Sequence, residues 1–497
     1  MAKSNSFLQA SEVKAFDREH KRKLRYNIGK YDAKVVEGKK QYDDLEKARR
    51  KAKRIKWKAI HNLDTLLLRF EENFQKRGGQ VVWAETGEEA LEAIGRIADR
   101  HNCRTVVKSK SMATEEVDLN DFLQERGMQV AETDLGEYIQ QLDGERPYHI
   151  VTPAMHKSKQ DVAELFHRKL GTDLNLTATE LTLVARRVLR EQFTQADMGI
   201  SGGNFLLADV GGVAITENEG NARLTTSFPK VHVALVGIEK MLPSIDDLAH
   251  FWPLLSTFGT GQQVTVYNSV MMGPRQEGES DGPEHMYVIL MDNGRTNLLA
   301  EREQREALYC IRCGACLNAC PVYKNIGGHS YDTTYSGPIG SVITPHLKGM
   351  EEFRHLSYAS SLCGNCTEVC PVRIDLHNLL LVNRRDAVDS GYTESSETLT
   401  WKAWKAGMIS RSRMNMASSG IKNWLLSTFF AQAWGDRRDL PKVAPKSFNN
   451  RWESTYGRTW QAGNGRPFNA AEYISKRQKA QSASEKSGQA PKADIPS

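Results

Sequence analysis

The stretches CIRCGACLNACPVY (residues 310–323) and SLCGNCTEVCPV (residues 361–372) hold seven of the chain's eight cysteines. Cys310, Cys313, Cys316 and Cys320, the last followed by Pro321, keep the C-x2-C-x2-C-x3-C-P spacing that wraps a cubane iron-sulfur cluster and sends its fourth cysteine to a second one. Three thiolates spaced this closely on a tight loop converge on three irons of one cube, and the proline then turns the chain away. Laid on the first block from its own proline backwards, the second block matches Cys370, Cys366 and Cys363 and sets Ser360 where a first cysteine would stand. In that register one cluster takes Cys310, Cys313, Cys316 and Cys370, and the other takes Cys320, Cys363 and Cys366. The second cluster lacks a fourth thiolate. The Ser360 oxygen, a water or a partner's ligand would complete it, or it is a three-iron form that needs only three cysteines. The reading is two 4Fe-4S clusters, with 3Fe-4S open for the second. Zinc sites usually present paired C-x2-C elements or histidines and do not account for this spacing. Cys103, in HNCRTVV, reads as a small buried hydrophobe at a strand start.

The segments flanking the cysteines, EREQREALY (301–309) and LHNLLLVNRRDAV (376–388), have helical patterns, and the 42 residues between Cys320 and Cys363 are too many for a compact two-cluster ferredoxin. Residues 301–400 therefore read as a helical two-cluster domain. Upstream, Gly78-Gly79 ends a segment (38–76) that lacks interior Gly or Pro and reads as helix. QVVWAE, EEALEAIGRIADRH, RTVVKSK, TEEVDLNDFLQERG and MQVAET then alternate strand and helix, the signature of a parallel sheet with crossover helices. The pattern resumes with YHIVTPA and two helices, the second opened by the capping box Thr177 to Glu180. FLLADVGGVAITE, VHVALVGIEKM and MYVILMDNG read as three buried strands, which makes residues 61–300 one α/β domain.

Hydrophobic residues are 40% and charged residues 26% of the chain, as in a soluble globular protein. No run approaches the roughly 20 apolar residues of a membrane span, and the first residues lack the apolar core of a secretion signal. A cytoplasmic location is expected, and it suits thiolates that must stay reduced. The net charge of +6 hides an asymmetry. Residues 1–60, a basic helical arm, carry 19 Lys and Arg against 8 Asp and Glu, and residues 401–497 carry 17 against 6, so the body between them is acidic. Docking of the arms within the protein or onto a subunit is favoured over a grip on nucleic acid. Residues 401–475 are rich in Trp and Met between basic residues. Packing on a neighbouring element is expected of those aromatics, with peripheral membrane contact as the rival, and residues 476–497 have a disordered composition.

The glycine-rich stretch from Gly199 to Gly220 carries no dinucleotide fingerprint and no Walker loop. Its glycines read either as tight turns or as an anion cradle. Glu217, Glu219, Asn218, Asn221, Lys108 and Lys110 lie at strand ends, where α/β sheets bind ligands. Ser111 and Met112 read as the start of the next helix. No catalytic triad order and no flavin or nicotinamide fingerprint is present.

CIRCGACLNACPVYKNIGGHSY, SGPIGSVITPHL, SSLCGNCTEVCPVRIDLHNLL, KSKSMATEEVDLN and ETDLGEYIQQL together resemble the lactate-utilisation iron-sulfur protein B family over about residues 60–400. The resemblance implies a lactate-utilisation domain, similar to the sugar-phosphate isomerase and CoA-transferase fold, followed by an α-helical ferredoxin domain. It also implies two four-iron clusters on the cysteine sets above, and membership of an L-lactate dehydrogenase complex with a cysteine-rich subunit and a second lactate-utilisation-domain subunit. The implied role is electron transfer from lactate oxidation toward an unidentified acceptor, with no nucleic-acid partner. Two rivals stand beside it: a nucleic-acid binder with a structural cluster, and an α/β enzyme on a phosphorylated or CoA-linked acid using Glu217 or Glu219.

Overall fold

The computed structural model describes residues 2–435, 438–457 and 475. Residues up to Tyr392 form one compact unit, and the described residues from Thr393 onward form a second.

The first unit is built on six parallel strands: β1 (Gln80–Ala84), β2 (Thr105–Lys108), β3 (Gln129–Glu132), β4 (Met198–Ser201), β7 (Val231–Gly237) and β10 (His285–Met291), in the order β1-β10-β7-β4-β2-β3. β7, VHVALVG, is buried at every residue, as a central parallel strand covered on both faces must be. Its side chains alternate between two cores. Val231, Val233 and Leu235 join Ile94 and Ile97 on one face, while Ala234 and Val236 join Phe70 and Phe74 on the other.

A second sheet has the order β8-β5-β6-β9, from β5 (Phe205–Leu207), β6 (Gly212–Glu217), β8 (Met241–Leu242) and β9 (Tyr267–Met271). FLLADVGGVAITE is thus an antiparallel hairpin rather than one strand, because Gly211 at φ 61 turns the chain back against the backbone of Phe74. β4 lies inside the glycine-rich stretch, a strand that the glycines had masked. YHIVTPA is not a strand. The His149 ring nitrogen Nδ1 accepts from the Val151 and Thr152 amides, so those donors are withdrawn from any ladder and the segment stays a folded loop.

The N-terminal arm holds three helices, α1 (Ala2–Phe16), α2 (Arg18–Gly38) and α3 (Leu45–His61), and α4 (Leu63–Gln75) follows it onto the sheet. The continuous helix expected over 38–76 is broken twice. The Asp44 carboxylate accepts from the Lys47 amide and caps α3, and Asn62 leaves helical geometry while its side chain donates to the Lys58 carbonyl. The arm lies on the acidic body: Lys23 meets Asp161 at 2.7 Å, Lys53 meets Glu306 at 2.7 Å, and the fully buried Lys56 donates to the Glu239 carbonyl at 2.5 Å.

In the cysteine region, Gly337–Lys348 is the main helix between the two blocks and Leu376–Asp389 follows the second. Pro345 inside the former cannot donate to the Ser341 carbonyl, and the Ser357 hydroxyl takes that place at 3.2 Å.

The second unit holds the helices Ser395–Met408, Arg411–Asn415 and Ser419–Phe429. Trp401, Trp404, Met416, Trp424 and Phe429 are exposed, with Trp401 against Trp404 at 5.7 Å and Trp424 against Phe429 at 6.3 Å between ring centroids. No described helix is long and apolar enough to cross a membrane. Residues 476–497 lie outside the described residues.

Three strand ends and the cysteine region meet in one buried ion network. Arg295, just after β10, is 2% exposed. It donates twice to Glu116 (3.0 and 2.8 Å) and once to Glu239 (2.5 Å), while Tyr335 donates to Glu116 at 2.7 Å. Burial opposes the charge of Glu239, but Arg295 and Arg312 outweigh it and hold the carboxyl at about 2. Replacing Arg295 with Met strands two buried carboxylates and is expected to cost about 3–5 kcal/mol of stability, read by urea unfolding. Because Glu239 titrates below its ordinary 4.5, the stability it supplies is complete above that pH and is lost as the pH falls toward 2. Glu239→Gln should flatten that acid limb.

Candidate functional site

The cysteines are set by two short helices and the turns that lead into them. Cys310 follows the 3-10 turn Gln304–Tyr309, Cys316 lies in the helix Ala315–Ala319, and Cys320 closes it. In the second block Cys366 lies in the helix Asn365–Glu368, with Cys370 two residues beyond its end. All eight cysteines are free thiols.

The seven fall into two groups. Cys310, Cys313, Cys316 and Cys370 lie close enough that each of Cys313 and Cys316 feels the charge of Cys310 and Cys370. Burial, reinforced by Cys310, pushes the Cys370 thiol up to about 12, while the Ile374 amide, donating to its Sγ at 3.3 Å, pulls the other way. Cys320, Cys363 and Cys366 form the second group. Burial, then Cys320, raises Cys366 to about 11, whereas the exposed Cys363 is lowered, first by the Asn365 amide. A small cavity is lined by these three cysteines together with Ser360, Pro321 and Pro338. Cys103 lies apart in the sheet core, where burial lifts it to about 11.

Thiolates gathered out of water need compensating charge. Around Cys310 the chain supplies Lys56, Lys240 and Arg312; burial lowers Lys56 to about 7 and Lys240 to about 8, while the Cys310 sulfur favours the charged form of all three. Amides add to this, Arg312 donating to Cys310 Sγ at 3.4 Å and Tyr323 to Cys320 Sγ at 3.5 Å. Four sulfurs on one group, three on the other, amides aimed at sulfur and basic side chains beside Cys310 form a donor set that fits iron-sulfur clusters.

A cleft of about 360 Å³ opens at the carboxyl ends of β2, β4 and β7 and reaches the cysteine loop, so that Cys313 and Arg312 form part of its wall. Among the strand-end residues singled out in the sequence, Lys110, Glu217, Glu219, Asn218 and Asn221 line it. Lys108 does not. It is fully buried and paired with Glu115 at 2.7 Å and Glu132 at 2.8 Å, and although burial disfavours its charge these carboxylates raise its pKa. Glu217 accepts from the Ala222 and Arg223 amides, both at 2.8 Å, and so caps the helix Asn221–Ser227. Ser111 caps the helix that begins at Met112, as its position in the sequence suggested.

The residues that the sequence did not disclose are Lys56, Lys240, Arg312 and the network around Arg295. They come from separate segments, and a lone Lys or Arg in each carries no local signature. Lys56 shares the inner face of α3 with the buried Arg49, Ala52, Ala59 and Ile60.

Residues 67–291 match the LUD domain, and residues 306–374 match the 4Fe-4S dicluster domain. Lactate utilization protein B of Geobacillus sp. (strain WCH70) is 43% identical over 459 residues, covering 90% of this chain and 94% of that protein. The chain belongs to the lactate utilization protein B family. Its members include the protein of Shouchella clausii, 41% identical over 83% of this chain and 89% of its own length. The Escherichia coli K12 protein named as an uncharacterized electron transport protein, YkgF, is 41% identical over 83% of this chain and 89% of its own. A crystal structure of a DUF162 family protein from Deinococcus radiodurans aligns with 46% of this chain at 12% identity and a TM-score of 0.27, too loose a superposition to support inference. This chain is an α/β LUD domain followed by a helical 4Fe-4S dicluster region.

Arg49 of α3 clamps the second cysteine block from outside. Its guanidinium donates to the Cys370 carbonyl at 3.0 and 2.8 Å and to the Glu368 carbonyl at 2.7 Å. Arg49→Met leaves those carbonyls without a charged donor and is expected to lower stability by about 1.5–3 kcal/mol, with amide hydrogen exchange accelerated over residues 368–374.

Proposed function

We propose that this chain is the iron-sulfur electron-transfer subunit of a multi-subunit L-lactate dehydrogenase complex that oxidises L-lactate to pyruvate. In this reading Cys310, Cys313, Cys316 and Cys370 hold one four-iron cluster, and Cys320, Cys363 and Cys366 hold the second. The observation that carries it is the division of the cysteines into these two groups by three-dimensional proximity, each group drawing from both sequence blocks. Bound there, the clusters supply two one-electron carriers, which suits a substrate that gives up electrons in pairs.

The chain's own residues hold the sulfurs in place, shield the first group from water and set cations beside it. Lys56, Lys240 and Arg312 favour negative charge at the Cys310 side, so an added electron is better tolerated there than at a site without cations. Cys363 is exposed, which makes the second group the natural point of exchange with an outside acceptor. The complex's other members are a cysteine-rich subunit and a second lactate-utilisation-domain subunit, as the resemblance implies. The protein acts in the cytoplasm, and the exposed aromatics of the second unit, set among basic residues, suit contact with the inner membrane face.

The rival enzyme reading draws little from the geometry. Glu217 is occupied as a helix cap and Lys108 is sealed in a buried ion cluster. A nucleic-acid role also loses support, since the N-terminal basic arm spends Lys23, Lys53 and Lys56 on internal partners.

Anaerobically purified protein, reduced and examined by electron paramagnetic resonance, is expected to show two interacting paramagnets and about eight irons per chain. One redox-active centre after reconstitution would refute the relay. Bleaching of the visible absorbance by lactate should need the co-purifying subunits.

A further inference from the structure

We infer that Ser360 is an iron ligand: its Oγ takes, in the second cluster site, the place that Cys310 Sγ takes in the first. This rests on the two-cluster reading and extends it. The two cysteine blocks repeat one another in backbone as well as in spacing, at an offset of fifty residues. Arg312, two residues after Cys310, has φ 60, and Leu362, two after Ser360, has φ 54. Left-handed geometry is unfavourable for a residue with a Cβ, so its recurrence at matching positions marks a shared fold and not a loose loop. Gly314 and Gly364 follow at φ 78 and 79, each opening a short helix.

The hydrogen bonds repeat too. Leu317 donates to Gly314 and Thr367 to Gly364, both at 3.0 Å, and Cys320 donates to Leu317 and Cys370 to Thr367, both at 3.2 Å. At the head of each block one amide is aimed at the side chain in question: Arg312 N–H donates to Cys310 Sγ at 3.4 Å, and Leu362 N–H donates to Ser360 Oγ at 3.0 Å. The shorter distance is what an oxygen in the sulfur's position would give. In the first site the head residue joins two cysteines of its own block and the last cysteine of the other block. The same rule applied to the second gives Ser360, Cys363, Cys366 and Cys320, and these four line one cavity.

On binding, the serine hydroxyl gives its proton to solvent and the oxygen forms one bond to iron, with no change in iron oxidation state. An alkoxide is a harder donor than a thiolate and favours ferric iron, so the second centre should have the lower potential of the two, with Lys56, Lys240 and Arg312 raising that of the first.

Three proteins test this by iron count, electron paramagnetic resonance and a redox titration. The wild type should hold about eight irons. Ser360→Ala should lose one iron and show, when oxidised, the signal of a three-iron centre. Ser360→Cys should keep a four-iron centre at raised midpoint potential, with the signal from the Cys310 group unchanged in all three as the internal control for folding. A Ser360→Ala protein that keeps two unaltered four-iron signals would overturn serine ligation and leave the two-cluster relay standing. A wild type with fewer than two reducible centres would overturn the relay itself. Should the alanine variant fail to accumulate, an unshifted potential in Ser360→Cys is sufficient to reject the inference.

Independently, the geometry points to the cleft beside Cys313 as a site for a short 2-hydroxy or 2-oxo carboxylate, a substrate class that rests on the lactate reading. Arg312 Nη1 is buried there with no hydrogen-bond acceptor among the described residues, and Lys240 makes no hydrogen bond or salt bridge among them. An Arg312 nitrogen without an acceptor, beside Lys240 on one wall, calls for an anionic oxygen. Across the cleft stand Glu217 and Glu219. Calorimetric titration of the anaerobic holoprotein with L-lactate and with pyruvate should give saturable binding, about tenfold weaker in Lys240→Met, a variant outside the cysteine loop. Equal binding by that variant, or none by the wild type when both clusters are reducible, would reject the site and move it to a partner subunit.

Discussion

Sulfur that must carry negative charge away from water governs this structure. Five of the seven clustered cysteines are buried, and burial alone would keep those five as thiols. The chain answers from several directions. Backbone amides point at Cys310, Cys320 and Cys370, and lysine and arginine side chains converge on Cys310 from α3, from the end of β7 and from within the cysteine loop. Those cations in turn need company, and Glu239 and Glu116 provide it through Arg295. The sheet's carboxyl end, the N-terminal arm and the cysteine loops therefore form one electrostatic assembly.

The sequence disclosed what depends on local chemistry. Cysteine spacing is such a property, because three sulfurs on one loop must be close in the chain to be close in space. The parallel sheet was legible for the same reason: β1, β2, β3, β7 and β10 are each a run of apolar or β-branched residues between helical patterns. The capping boxes at Ser158 and Thr177 likewise depend on residues three apart, and the Thr177 to Glu180 spacing is plain in the sequence.

What escaped depends on long-range geometry or on competition between neighbours. β4 is short and set among glycines, and only its pairing with β2 and β7 makes it a strand. YHIVTPA has strand composition, but a histidine ring claims its amides. Lys108 and Lys110 look alike in VVKSKSM. Lys108 is the last residue of β2 and meets the buried carboxylates, whereas Lys110 lies two residues beyond the strand, in the loop that lines the cleft. The cations around Cys310 come from positions more than 250 residues apart, beyond the reach of any pattern in one chain.

Arg312 belongs to two places at once. Its backbone is part of the turn between Cys310 and Cys313, while its guanidinium lies over the Tyr335 ring and reaches Glu239 at the end of β7. With Arg49 and Lys56 contributed by the N-terminal arm, the dicluster region is no portable cassette. Cut away at residue 301 it would keep every thiol yet lose much of the surrounding positive charge. Ancestral shuffling of such a module among hosts would have had to carry the sheet and the arm along with it.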